Sequence, residues 1–319
     1  MDNPYKSFDK DGLNLLNGSE TVKIAYFIMV HRLPKQFVRL FSAIYDVNNF
    51  YLIHVDKKAD KNIEEELNSY LKNYKNVAIL KSEDVIWGGY SMVQAELEGI
   101  KYLLNLSVDW DYFINLSGQD FPLKSQNIIK QFLFEHRGAS FLKYENQKEV
   151  RPDTMNRIEN FFEEIDGEIS VKTHPRFYLE NTTPYIGGQW MMLTRDCCKF
   201  VCNSPEVKKY EYYYLNTLIA DESFFQTVLM NSSFDGALIN DDKRAIIWIP
   251  DGLIKLRPKT FSNEDLTYLL NSNSLFARKF DDNIDSNIIN KLMFHINEPM
   301  IRVEFDEMIG VKSSNNRLC

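Results

Sequence analysis

Three short apolar runs, VKIAYFIMV (22–30), FYLIHV (50–55) and NVAIL (77–81), are separated by stretches with helical spacing. Runs of this length, rich in β-branched and aromatic residues, read as buried strands. Between the first two, Phe37, Leu40, Phe41 and Ile44 recur at the three- and four-residue intervals of one helix face. Between the second and third lies a charged helical stretch, about 60–74. Strand, helix and strand at this pitch predict a parallel sheet with helical crossovers.

The alternation continues. SMVQAELEGIKYLL (91–104) reads as an amphipathic helix and DYFINL (111–116) as a strand that ends in a polar turn. A helix over 127–136 and a strand over 139–144 follow. Residues 145–183 are charged and irregular. GGQWMMLT (187–194) reads as a strand, followed by a cysteine-bearing helix. DESFFQTVLM (221–230) reads as a helix with Asp221 as its N-cap. A strand over 245–249, a helix over 262–272 and a last helix over about 283–295 complete the pattern. In the 262–272 helix, Ser262 and Asp265 stand close to a capping box. No repeat, low-complexity tract or linker interrupts the chain. It divides into a polar lead-in over 1–21 and one α/β unit over 22–319, regular over 22–144 and less so over 145–319.

Bulk properties remove several classes. The net charge of −8, with basic residues scattered, argues against a nucleic-acid binder. Cys197, Cys198, Cys202 and Cys319 form neither a disulfide framework nor a zinc site, and buried thiols on one helix suit a reducing cytoplasm. No run approaches the roughly 20 apolar residues of a membrane helix, and residues 1–20 lack a signal-peptide core. The 22 Phe, 17 Tyr and 4 Trp are material for a core or for stacking on sugar faces, and composition favours core.

Open α/β sheets bind ligands beyond the carboxyl ends of their strands. Val30-His31-Arg32, His54-Val55-Asp56 and Ser117-Gly118-Gln119-Asp120 fall there. Asp56 suits uridine or ribose as a hydrogen-bond acceptor, and Asp56 and Asp120 equally suit turn or cap positions. Gly88-Gly89 offers backbone freedom, and neither a GxGxxG nor a P-loop is present. Asp109-Trp110-Asp111 has the DxD form that holds a divalent cation in many nucleotide-sugar transferases, but it precedes its strand, at the wrong end of the sheet. Asp221-Glu222 opens a helix, where acids are favoured by the macrodipole. One of them suffices as a cap, which leaves Glu222 as a candidate general base. Arg257 and Lys259, with Arg278 and Lys279 some 20 residues on, form either a local anion site or a solvated basic face.

Taken in order, IAYFIMVHR, NFYLIHVDKKAD, WGGYSMVQAEL, DYFINLSGQDFPL, GGQWMMLTRD, ADESFFQTVL and LFARKFD resemble the core-2/I-branching β-1,6-N-acetylglucosaminyltransferase family, which also contains peptide O-xylosyltransferases. The resemblance covers about residues 22–281 and implies a GT-A fold, a single Rossmann-like mixed sheet flanked by helices. On this reading 22–144 is the nucleotide-binding half and 145–319 the acceptor-binding and catalytic half. It implies inverting, metal-independent transfer from a UDP-sugar co-substrate, with no cofactor and no metal-ligating residues. Glu222 maps to the catalytic base, Arg257 and Lys279 to the diphosphate, and Val30, His31 and Asp56 to the nucleotide side. Glu145 and Arg157 map to acceptor contacts. Trp87, Gln119, Asp120, Gly188, Gln189 and Trp190, from the matching segments, are sugar-side candidates. UDP-GlcNAc and UDP-xylose both fit as donor, and a glycan or glycolipid fits as acceptor. The animal enzymes carry a membrane anchor and disulfides. Their absence here implies a bacterial-type, cytoplasmic protein working on a surface polysaccharide, with peripheral membrane association open. The alternatives are a non-catalytic nucleotide-sugar or glycan-binding protein and a metal-dependent enzyme using Asp109 and Asp111.

Overall fold

A computed structural model describes Lys6, Phe8 and residues 21–80, 84–170, 172–251 and 255–308. Seven strands form the main sheet: β1 (Ile24–Val30), β2 (Phe50–Val55), β3 (Val77–Leu80), β4 (Tyr112–Ser117), β5 (Ala139–Leu142), β6 (Met191–Thr194) and β7 (Ala237–Asn240). Their order is β7-β5-β6-β4-β1-β2-β3. β1 pairs in parallel with β2 and β4, and β2 with β3. β6 runs antiparallel to both β4 and β5, while β7 runs parallel to β5. The sheet is therefore mixed and flanked by helices, the α/β class that the alternation predicts.

The central strands are apolar on both faces because helices cover both. On one side Tyr26, Ile28, Tyr51 and Ile53 pack with Phe37, Leu40 and Phe41 of the Pro34–Ile44 helix. On the other, Phe27, Leu52 and Phe113 pack with Val93, Leu97 and Ile100 of the Ser91–Leu104 helix. Each fully buried side chain of this size contributes about 1.5–3 kcal/mol. Cys197, Cys198 and Cys202 lie on the Arg195–Asn203 helix, free and buried, as expected. Burial pushes the Cys197 and Cys202 thiols up to about 12. Cys319 lies outside the described residues.

Register places the site. Met29 of β1 sits opposite Ser117 of β4, and Val30 opposite Val55 of β2. The carboxyl ends of three neighbouring strands are thus level, and the polar residues that follow them emerge along one edge. A second sheet lies against that edge. Arg244–Ile246, Phe276–Arg278 and Asp120–Pro122 form three strands, with Arg278 directly opposite Asp120. A hairpin of Trp248–Asp251 and Lys255–Pro258 places Arg257 opposite Ile249. The Phe261 N–H donates to Lys279 O at 2.9 Å, which ties the chain beyond the hairpin to the end of the Phe276–Arg278 strand.

Several boundaries differ from the sequence reading. The 245–249 run splits into two strands belonging to different sheets. Gly187–Trp190 stays outside β6, and Gly187 approaches the neighbouring chain so closely that a Cβ there would fall 1.9 Å from Lys143 O. The 145–183 region folds into two-residue ladders and short turns. The Ser262–Asp265 capping box is present, at the start of a 3₁₀ turn that leads into a shorter helix, Leu266–Leu270. The last helical segment runs over Asp282–Met308, interrupted near its start by non-helical backbone at Asp285. The lead-in is partly built into the fold: Phe8 is buried, and Lys6 O accepts the Ile79 N–H at 2.8 Å. Residues 1–5, 7 and 9–20 lie outside the described residues.

Candidate active site

Glu222 ends a single 3₁₀ turn, Ala220–Glu222. The turn is entered through Ile219 at φ 52°. A β-branched residue in the left-handed region is a true outlier, and such strain costs on the order of 1–3 kcal/mol. Neighbouring backbone holds it there: the Ile219 N–H donates to Gly88 O at 2.6 Å and the Leu218 N–H to Arg157 O at 3.1 Å. Gly187 N–H donates to Glu222 O at 2.8 Å, so the glycine without room for a side chain also fixes the acid's backbone.

The carboxylate itself is held by Arg157, whose Nη1 donates to Glu222 Oε2 at 2.8 Å. Both side chains are largely covered, 19% exposed for Arg157 and 26% for Glu222, so solvent screens the pair less than a surface pair. Arg157, expected at the acceptor, is thus a partner of Glu222. Glu145, its expected companion, pairs with Lys143 at 3.3 Å, and no hydrogen bond or ion pair joins it to Glu222 or Arg157. Asp221 is not the helix cap. The tight turn delays the α-helix to Phe224–Met230 and leaves Ser223 at the cap position without a capping bond. Asp221 turns inward, and its Oδ1 is buried without a partner. Trp87 is 69% exposed and directly precedes Gly88, which lies against Leu218 and Ile219.

A second group gathers at the level strand ends. His31 follows β1, and burial lowers its pKa, with Arg32, Arg278, Asp56 and Lys279 near enough to act on it. Lys279 is lowered too, first by burial and then by Arg278, Arg257 and Arg32. Four cations therefore lie within electrostatic reach of one another. Two already have strong acid partners: Arg32 pairs with Asp281, and Arg278 with Asp120 at 2.9 Å. Arg257 lies 3.7 Å from Asp251, half exposed, and Lys259 is held by Asp265. Lys279 has no ion pair among the described residues. The one acid acting on Lys279 among the described residues, Asp281, is already engaged by Arg32, and a lysine so crowded by cations suits an anion.

The remaining candidates divide by burial. Val30 is buried in the core, while Asp56 accepts the Lys58 N–H at 2.8 Å as a turn residue at the cleft edge. Asp120 is fully buried; its carboxylate accepts the Ser117 N–H at 2.8 Å and pairs with Arg278, so it is closed to a sugar. Gln119 is buried, and its amide donates to Phe280 O at 3.4 Å. Gln189 donates inward to Glu96 at 3.2 Å. The Trp190 ring is buried beneath the Arg278 guanidinium, 4.5 Å from its centroid. Gly188 O accepts from Gln226 at 2.8 Å. The physical reason is shared. Polar side chains inside a fold must satisfy one another, and several of these do so. Asp109 and Asp111 sit at the opposite edge, Asp109 paired with Arg195 and Asp111 accepting the Lys23 N–H at 2.7 Å. No group of three or more His, Cys, Asp or Glu able to hold a metal ion occurs among the described residues.

Three residues of this region escape motif reading: Glu96, Asn115 and Arg244. The signal for Glu96 is present in the sequence. It stands three residues after Val93 and one before Leu97, within the buried face of its helix. Arg244 carries no such pattern; it is buried and donates to Asn115 O at 2.8 Å.

Residues 24–270 match the family model of the core-2/I-branching enzymes. The chain belongs to that family. This member is 32% identical over 294 residues to a xylosyltransferase of Ciona intestinalis, covering 86% of this chain and 34% of that one. It is 30% identical over 297 residues to xylosyltransferase 2 of Mus musculus, covering 88% and 34%. The chain spans about a third of the length of the curated relatives it matches. Among solved structures it is similar to the galactosyltransferase LgtC in complex with donor and acceptor sugar analogs, at 8% identity and a TM-score of 0.36, covering 62% of this chain and 68% of that one. Membership of this glycosyltransferase family carries with it the GT-A type of α/β fold that the ordered segments implied. No helix among the described residues is long and apolar enough to cross a membrane.

Proposed function

We propose that this core-2/I-branching member transfers a sugar from a UDP-sugar to a hydroxyl of a glycan or glycolipid acceptor, with inversion and without a metal ion. The observation that carries the reading is the crowded, unpaired Lys279 at the level ends of β1, β2 and β4, with Arg257 close by. UDP binds there with its diphosphate against Lys279 and Arg257, and its nucleoside along His31 and Asp56. Glu222, oriented by Arg157, removes the acceptor hydroxyl proton. The acceptor oxygen forms a bond to the anomeric carbon as the bond from that carbon to the phosphate oxygen breaks. The electron pair leaves with UDP, whose growing charge the preorganised cations stabilise. An α-linked donor gives a β-linked product. The exposed ring of Trp87 offers the sugars a stacking face.

Both GlcNAc and xylose remain donors of this reading, GlcNAc from the branching enzymes and xylose from the names of the two relatives. The test is a panel of UDP-sugars assayed for hydrolysis and transfer, with and without EDTA. Turnover of one donor that persists in EDTA is the expected result. Turnover that vanishes in EDTA and returns with Mn²⁺ overturns the metal-free part. Nucleotide binding without turnover of any donor, water included as acceptor, overturns catalysis.

A more local expectation concerns Lys279→Ala. It should weaken UDP by about tenfold or more, the scale of one charge-assisted contact of about 1.5–3 kcal/mol, while leaving uridine affinity unchanged. Titration calorimetry with both ligands measures this. Equal weakening of the two removes Lys279 from the diphosphate.

A further inference from the structure

Behind Glu222 lie two carboxyl groups with no part in the reaction as proposed. Glu96, on the Ser91–Leu104 helix, is fully buried. Its Oε1 accepts from Asn115 Nδ2 at 2.7 Å and from Gln189 Nε2 at 3.2 Å. Its Oε2 is buried and has no partner. Asp221, the residue before Glu222, likewise has Oδ1 buried and without a partner. The Ser91–Leu104 helix packs on the Ala220–Glu222 turn, and the charge of Asp221 acts on Glu96. Two orphaned carboxylate oxygens in one interior region each carry a desolvation cost of about 1–3 kcal/mol or more. Both deficits disappear if one oxygen carries a proton that the other accepts.

We propose that Glu96 and Asp221 share one proton, directly or through one water, so that together they bear a single negative charge behind Glu222. Glu96 is then a positioning residue for the base. It acts by two routes. Through Gln189 it holds the loop whose Gly187 N–H fixes Glu222 O at 2.8 Å. Through the shared proton it limits the negative charge beside Glu222.

The surrounding groups leave little choice. The turn supplies Asp221 and Glu222, both acidic. β4 and the loop before β6 supply only the neutral amides of Asn115 and Gln189. Among the described residues, the cation that acts on Asp221 is Arg157 of the Asn156–Glu159 helix, and Glu222 already engages it. Consistent with this, burial pushes Glu96 up to about 8, and burial with the Glu222 charge pushes Asp221 up to about 7.

The sign of the pH dependence follows. Both folded values lie above the unfolded carboxylate range of about 4. Stability from a raised acid is complete below that range and is lost as pH rises through the folded value. Thermal stability should therefore fall between about pH 4 and about pH 8 and level off above it. Glu96→Gln keeps the Oε1 acceptor for Asn115 and Gln189 and gives Asp221 a permanent N–H donor. The variant should match the wild type near pH 4 and lose much less on the way to about pH 8. Parallel melting-temperature curves for the two proteins, whatever their offset, overturn the shared proton. On the wild type alone, infrared difference spectra should show a protonated-carboxyl band lost as pH rises through about 7 to about 8, and its absence overturns the proposal even if the variant fails to fold.

Only the kinetic arm rests on Glu222 as base. There, Glu96→Gln should move the alkaline limb of kcat upward with KM unchanged. An unmoved limb with a flattened melting curve overturns the positioning role and leaves the shared proton standing. A protein without any transfer activity overturns the proposed function, and the melting and infrared arms still decide the proton.

Discussion

Glu222→Gln should reduce transfer by about 10²–10⁴-fold, the usual contribution of a positioned general base, and leave UDP affinity unchanged. The substitution is isosteric. Its amide oxygen can still accept from Arg157 Nη1, so the side chain keeps the orientation seen at 2.8 Å. What is lost is the ability to take a proton. UDP affinity should survive because the cations around Lys279 form a separate group at the strand ends. Initial rates of transfer, paired with UDP titration on the same preparation, measure both. Near-wild-type turnover would remove Glu222 from the role of base. Loss of UDP binding in parallel would show instead that the substitution had damaged the fold of the site.

Asp120→Ala should cost roughly 3–5 kcal/mol in stability, the scale of removing one partner from a buried ion pair. Asp120 is fully buried and Arg278 only 17% exposed, so the arginine would be left with its charge uncompensated. The Ser117 N–H would lose its acceptor at the same time. The change should also loosen donor binding, because Lys279 directly follows Arg278 at the end of the strand that Asp120 anchors. Urea unfolding gives the stability term and UDP titration gives the second. A loss below about 1 kcal/mol, the scale of an exposed pair, would mean that solvent or another acid neutralises Arg278.

The central sheet was legible because β1, β2 and β4 are buried on both faces, and such strands must be apolar throughout. The wrong end of the sheet for Asp109 and Asp111 was legible for the same reason: strand direction follows from the helix crossovers. Asp221 was misread because N-cap preference is a local rule, and here Ile219 and the Gly187 contact impose a 3₁₀ turn that local preference does not contain. The pairing of Arg278 with Asp120 was illegible because it spans 158 positions along the chain. Asp120, Gln119 and Gln189 show the limit of reading polar residues at strand ends as ligands. Sequence marks where such groups emerge, but not whether their partners are substrate or the protein itself.

The reach from Asp120 to Arg278 also bears on how the molecule is made. The strands that define the cleft lie in the first 117 residues, while the cations proposed to hold the diphosphate come from 257 and 279. A chain emerging from the ribosome would form its parallel core from local crossovers well before the phosphate cradle exists. Closing the cleft is a long-range event, of the kind that slows folding. Once closed, an early and a late segment of the chain meet at the proposed donor. A bound nucleotide would then bridge early and late segments and stabilise the whole protein by mass action, which makes the substrate itself a clasp on the finished fold.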